Sequence, residues 1–108
     1  MLTAAGFDVN ARNGDGVVPL HWASFFGHTT VVEHLLAKEG IEVDAQTRDK
    51  MTPLIDACLN GRGPVLALLL AAGADSRLAD EYGRNGLHYG ESRDYLGSKL
   101  WLTQKSSL

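Results

Sequence analysis

Residues 18–36, VPLHWASFFGHTTVVEHLL, set His21, His28 and His34 among aromatic and branched apolar side chains. Such a cluster suggests chemistry if it is unique and architecture if it recurs. It recurs. Over residues 51–70, MTPLIDACLNGRGPVLALLL, Pro19 falls on Pro53, Leu20 on Leu54, Ala23 on Ala57, Gly27 on Gly61, Val31 on Val65, Leu35 on Leu69 and Leu36 on Leu70, always 34 residues apart. A second block, AAGFDVNA at 4–11, returns as KEGIEVDA at 38–45 and AAGADSRL at 71–78. A third start, YGRNGLHYG at 82–90, places Leu87 and His88 33 residues after Leu54 and Ile55. A period of this size is the mark of a solenoid of stacked supersecondary units.

Periodicity within a unit names its parts. Pro19 and Pro53 suit the first position of a helix, where a missing N–H leaves nothing unsatisfied, and Val18 and Thr52 precede them as caps. Gly27 and Gly61 end that helix after about two turns, because glycine enters the left-handed region without strain. Thr30 and Pro64 then open a second helix. Val31, Val32, Leu35 and Leu36, with Val65, Leu66, Leu69 and Leu70, give it one apolar face. The links ARNGDGV and AQTRDKM read as β-hairpin loops projecting from the helix pairs, with NGDG supplying positive-φ residues at the tip.

VPLHWASFFGHTTVVEHLL, MTPLIDA and AAGADS resemble the ankyrin repeat, whose signature opens T-P-L-H, turns at G-H and closes G-A-D-V-N. The resemblance covers residues 1 to about 89 and implies an all-α repeat solenoid of helix-turn-helix units with projecting β-hairpin loops. The chain departs from the signature in places: Val18 stands for Thr, Ile55 and Arg62 for the two His, and NGLH at 85–88 has lost the Pro. The chain divides into a remnant of a truncated repeat (1–12), repeats at 13–46 and 47–79, and a degenerate repeat or C-terminal cap (80–108). The resemblance also gives the histidines their roles. His21 and His88 take the slot where the family's imidazole bridges backbone groups of neighbouring hairpins, His28 occupies the turn, and His34 faces solvent from the second helix.

Chemical readings fit less well. His21, His28 and His34 are seven and six residues apart across a glycine break, not at helical metal-pair spacing, and no Cys or carboxylate completes a ligand set, so no metal is expected. NGDGVV at 13–18 fails as a calcium loop, since Val9 and Leu20 fall where carboxylate ligands belong. GRGP at 61–64 lacks the G-K-[ST] ending of a phosphate loop and follows no strand. Cys58 with His21, Asp56 or His88 could form a nucleophilic set, but it lies at the signature's small-residue position, which favours burial between units. Neither catalysis nor a cofactor is expected.

A binding surface remains. By the family's pattern the concave face carries Asp15 and Val17, Asp49 and Met51, and Tyr82 and Arg84 at the tips, with Trp22, Phe25, Phe26, Leu59 and Asn60 on the first helices. Phe25 and Phe26 stand where the framework asks for no particular residue, as interface anchors do. Trp22 reads equally as an anchor or as packing against a neighbouring unit. The implied partner is a protein. A net charge of -3 and pI near 5.7 oppose a phosphate backbone, and the longest apolar run, 65–72, is far short of the ~20 residues of a membrane span. The single cysteine fits a reducing compartment, and the chain reads as intracellular, in cytoplasm or nucleus.

Solenoid ends need polar caps or a neighbour. The opening residues read as uncapped, and Leu96, Leu100, Trp101 and Leu102 read as one apolar helical face: a cap, a docking helix or a sticky end. Weak self-association through these ends is expected, a dimer before a filament. Two functional classes follow: an adaptor or scaffold that recognises a protein segment, or part of a larger enzyme, channel or regulatory protein in which the array serves targeting or assembly. Leu2, Asp8, Val9 and Asn10 also resemble the pattern that asparaginyl hydroxylases recognise in such repeats, with Asn10 as target.

Overall fold

The computed structural model of the chain describes residues 8–92. Its helices are α1 (Pro19–Phe26), α2 (Thr29–Leu36), α3 (Pro53–Leu59), α4 (Gly63–Ala71) and α5 (Gly86–Ser92). The prolines open α1 and α3 as the sequence suggests, while the second helices start one residue earlier than Thr30 and Pro64 indicate. Helix α1 packs on α2 and α3, α3 on α4 and α5, and α2 on α4. The first helices therefore form one layer and the second helices another, which is the two-layer solenoid that the 34-residue period implies.

Each first helix is capped differently at the same slot. Thr52 Oγ1 accepts the Ile55 N–H at 3.1 Å, and Asn85 Oδ1 accepts the His88 N–H at 2.9 Å. Val18 has no oxygen to offer, and there His21 Nδ1 accepts the Val18 N–H at 3.0 Å instead. Gly27 ends α1 at φ 73°, an angle that favours glycine, and a Cβ there would come within 2.9 Å of Arg62 Cδ and push that side chain aside.

The projecting loops are three copies of one tight turn rather than paired strands. Asn13, Thr47 and Asp80 donate their N–H to Val17, Met51 and Arg84, and the residue at the left-handed position is Gly16, Lys50 and Gly83 in turn. Gly14 is not among the positive-φ residues, so NGDG supplies one such position, not two. At these loops, among the described residues, pairing is reduced to the antiparallel bridge Ala79–Asn85, because each loop is too short to extend a ladder beyond its closing bond. Adjacent tips are joined by one bond each: Arg48 N–H to the Asp15 carbonyl and Glu81 N–H to the Asp49 carbonyl, both 2.9 Å.

Leu20, Val32, Leu54, Leu66 and Leu69 are fully buried in the core between the layers, with Val9, Val18 and Val65. Fully burying such side chains contributes roughly 1.5–3 kcal/mol each before entropy is counted. The expected apolar face of α4 is buried throughout, but in α2 only Val32 and Leu35 are buried, Leu36 is half-buried and Val31 is exposed. Val31 and Val65 share a slot, but α4 rests on α2, whereas no described helix lies on the other side of α2.

Asn10 and Asp44 make the same stitch in successive units. Asn10 Oδ1 accepts the Glu42 N–H at 3.0 Å, as the Asp44 carboxylate accepts the Asp75 N–H at 3.0 Å. Cys58 is buried in the core and burial pushes its thiol up to about 12, so it packs as a small apolar residue.

Candidate partner-binding surface

Trp22, Phe25 and Phe26 stand 55%, 38% and 46% exposed on α1, although each is large enough to have served as a core residue. They are held against one another instead. Trp22 stacks on Phe26 with ring centroids 5.7 Å apart and planes 4° from parallel, and Phe25 meets Phe26 edge-on at 5.0 Å. The His28 ring lies 6.1 Å from Phe26. Arg62 anchors the base of the cluster, its Nε–H donating to the Phe25 carbonyl at 3.2 Å. Rings already packed on each other lose little freedom when a partner covers them.

Beside this cluster runs a groove of about 220 Å³ lined by Val17, His21, Trp22, Phe25, Thr47 and Asp56. Trp22 also borders a wider depression of about 550 Å³, with Val18, His28 and Val31. The indole is therefore a ridge between two hollows.

His21 fills its slot as the resemblance implies. Its Nε2 lies 2.8 Å from the Ala45 carbonyl and 3.0 Å from that of Met51, while Nδ1 takes the Val18 N–H. Carbonyls only accept and an amide N–H only donates, so the proton sits on Nε2. Burial holds the imidazole below its usual range despite the two carbonyls, so the ring is neutral and tied into the fold. His88 differs from the expectation. It is exposed and lies edge-on to Tyr89 at 5.7 Å, because the bridge made by His21 needs the loop of a following unit and none is described after α5. His34 is exposed, as expected.

The remaining tip residues divide. Asp15, Asp49 and Tyr82 are exposed; Val17, Met51, Leu59 and Asn60 are half-buried. Arg84 is engaged internally, paired with Asp80 at 3.2 Å and lying over the Tyr82 and Tyr89 rings at 4.7 and 5.2 Å. It holds the third tip together rather than presenting a free guanidinium. Asn10 is likewise occupied, its Nδ2–H donating to the Gly40 carbonyl at 2.8 Å. Leu96, Leu100, Trp101 and Leu102 lie outside the described residues, as do residues 1–7. Among the described residues, no three His, Cys, Asp or Glu side chains are grouped to hold a metal ion, and no helix is long and apolar enough to cross a membrane.

Two buried carboxylates remain. Asp80 is 5% exposed and accepts from the Tyr82 and Arg84 N–H groups, Arg84 Nε and Tyr89 Oη. Burial acts to raise its pKa, but these donors and the Arg84 charge outweigh burial and hold the group below its usual value. Asp56 is 7% exposed, its carboxylate has no hydrogen bond or ion pair to any described residue, and burial alone pushes it up to about 7.

The family description for ankyrin repeats in three copies matches residues 1–80 and again 20–96. The chain belongs to the ankyrin-repeat family. Ankyrin repeats are protein-interaction modules, and the relatives carry them inside much longer chains. A palmitoyltransferase, Hip14, of Drosophila melanogaster is 36% identical over 88 residues, which is 81% of this chain and 14% of that protein. The human SMC5-SMC6 complex localization factor protein 1 is 39% identical over 74 residues, 68% of this chain and 7% of its own length. Human neurogenic locus notch homolog protein 2 is 29% identical over 106 residues, 98% of this chain and 4% of that protein. This chain therefore spans a small part of each.

Sequence reasoning missed Asp56 and Thr47 as residues that line the groove. The signal was present in the ankyrin period: Asp56 lies 34 residues after Trp22, in the same slot of the next unit, and both border the groove.

Proposed function

We propose that the domain is an adaptor or scaffold module that holds a segment of another protein along its concave face. Trp22, Phe25 and Phe26 are the anchors in this reading. Asp15, Val17, Asp49, Met51 and Tyr82 form the contact rim at the tips, with Leu59 and Asn60 continuing it along α3. The observation that carries the reading is the mutually stacked aromatic cluster left exposed on α1, since hot spots concentrate in aromatic anchors beside a hollow. The partner is a protein, and the compartment is the cytoplasm or nucleus.

A second reading is favoured by the relatives' lengths: the array is part of a larger protein, such as an enzyme, and serves targeting or assembly there. In both readings the repeat surface does the same physical work. Affinity capture with the intact chain beside the Phe25→Ser/Phe26→Ser variant tests it. Capture of defined proteins should be lost in the variant while its circular dichroism is unchanged. Equal capture by both proteins would remove the aromatic cluster from the interface.

A further inference from the structure

We propose that the groove between α1 and α3 receives the side chain of a lysine on an extended segment of the partner, with its ammonium against the Asp56 carboxylate and its alkyl stem beside Trp22 and Phe25. This rests on the adaptor reading and specifies the chemistry that the surface selects.

The chemistry follows from what the groove holds and what it lacks. Asp56 borders it, 7% exposed, its carboxylate with neither a hydrogen bond nor an ion pair to a described residue. No cation lines the groove. His21, the only other titratable group in its lining, is neutral, and its single N–H is committed to the Ala45 and Met51 carbonyls. The nearest analogue elsewhere in the molecule, Asp80, is surrounded by four donors. The Asp56 oxygens keep some contact with solvent at the groove, with no protein donor against them, and a cation brought by a partner can pair with them there.

The shape of the site separates lysine from arginine. Trp22, Phe25 and Val17 give the groove apolar walls, suited to a four-carbon stem and to a cation beside an aromatic ring. Besides Asp56, the polar side chains in the lining are His21, Thr47 and Trp22; the indole only donates, and Thr47 Oγ1 already accepts the Met51 N–H at 3.1 Å. Three ammonium donors can be shared between the two Asp56 oxygens and the Thr47 hydroxyl. A guanidinium brings five, of which several would be buried unsatisfied.

The test uses the full chain at pH 8 with small probes, so it needs no identified partner. The probes are n-butylammonium for the lysine side chain, n-butylguanidinium for arginine, and n-butanol as the uncharged control. Nuclear magnetic resonance follows the Trp22 indole N–H, assigned by Trp22→Leu, and the Asp56 side-chain carbon. Millimolar n-butylammonium should move both signals, bind more tightly than the other two probes, and lose about tenfold in affinity or more in Asp56→Asn. This near-isosteric change removes a buried charge and keeps the fold, which circular dichroism checks.

No binding of n-butylammonium, equal binding by Asp56→Asn, or equal binding of n-butanol overturns the proposal, and tighter n-butylguanidinium overturns the choice of lysine. A captured partner lost in Phe25→Ser/Phe26→Ser but held unchanged by Asp56→Asn would overturn the lysine site while leaving the adaptor reading in place.

Discussion

The second and third units are built on one plan and differ in how they treat a buried carboxylate and a tight turn. In the third, Asp80 closes the tip from inside, accepting two backbone N–H groups, Arg84 and Tyr89, and glycine occupies the left-handed position at Gly83. In the second, Asp56 has no partner, and Lys50 takes the left-handed position at φ 64°. One unit is satisfied internally; the other carries two local costs. Such departures concentrate where a protein gives up stability for function, and the unit that carries them lines the groove beside the aromatic cluster.

The largest test of this contrast is Asp80→Ala. The substitution strands two backbone N–H groups and the Tyr89 hydroxyl and leaves Arg84 without its carboxylate, so the domain should lose about 3 kcal/mol in urea denaturation at pH 7. Asp80 is held below its usual value, so its contribution is present above pH 3.8 and disappears as acid protonates it. A loss below about 1 kcal/mol would mean that the network is not what secures the third tip.

Asp56→Asn should act with the opposite sign. Asp56 in the folded chain titrates at about 7 against 3.8 unfolded, so the folded chain retains a proton that the unfolded chain has released. Stability is therefore full below pH 4 and falls as pH rises through about 7. His21 opposes this trend, because burial lowers its pKa and its contribution is lost as pH falls below 6.5, but it is common to both proteins. The variant should match the parent near pH 4 and exceed it by on the order of 2 kcal/mol at pH 8. A parallel pair of stability curves would show that Asp56 is adequately solvated and that the contrast between the two carboxylates is false.

Much of this architecture was readable because it rests on slots that recur. Pro19 and Pro53, Gly27 and Gly61, and the apolar residues of the second helices fix helix starts, stops and inner faces without reference to neighbours. What was not readable depends on the adjacent unit. Val31 and Val65 are the same residue in the same slot, but the exposure of one is set by what rests on it. His88 matches His21 in the pattern, yet the bridge is completed by the loop of a following unit. Arg84 reads as a tip residue, and only the structure shows it paired with Asp80 and lying over the Tyr82 and Tyr89 rings. Asp56 was visible as a helix residue, but only packing reveals that nothing meets its charge.

Tyr89→Phe dissects the satisfied side of the comparison. It removes only the phenol that donates to Asp80 at 2.5 Å, while Arg84 and the two backbone N–H groups remain. Burial raises the phenol first and the adjacent carboxylate adds to it, up to about 12, so the hydroxyl keeps its proton across the neutral range. The loss should be about 1 kcal/mol by urea denaturation at pH 7, the net worth of one hydrogen bond. A loss as large as that of Asp80→Ala would place the whole contribution of the carboxylate in this one contact.

The smallest effect is expected at the second tip. Lys50 holds a left-handed conformation that side chains other than glycine and asparagine rarely adopt, while Gly16 and Gly83 stand at the same slot in the neighbouring turns. Its N–H donates to the Thr47 carbonyl at 2.8 Å and its own carbonyl accepts from Gln46 at 3.2 Å, so the backbone, not the ammonium, makes the turn. Lys50→Gly should keep both bonds and relieve the Cβ strain, but glycine also gains freedom in the unfolded chain, and the two effects partly cancel. A net gain of about 0.5 kcal/mol is expected, with melting midpoints measured at low and high salt to separate strain from charge. A destabilisation that vanishes in high salt would assign Lys50 an electrostatic role at the tip, and the second unit would then carry one local cost, at Asp56, rather than two.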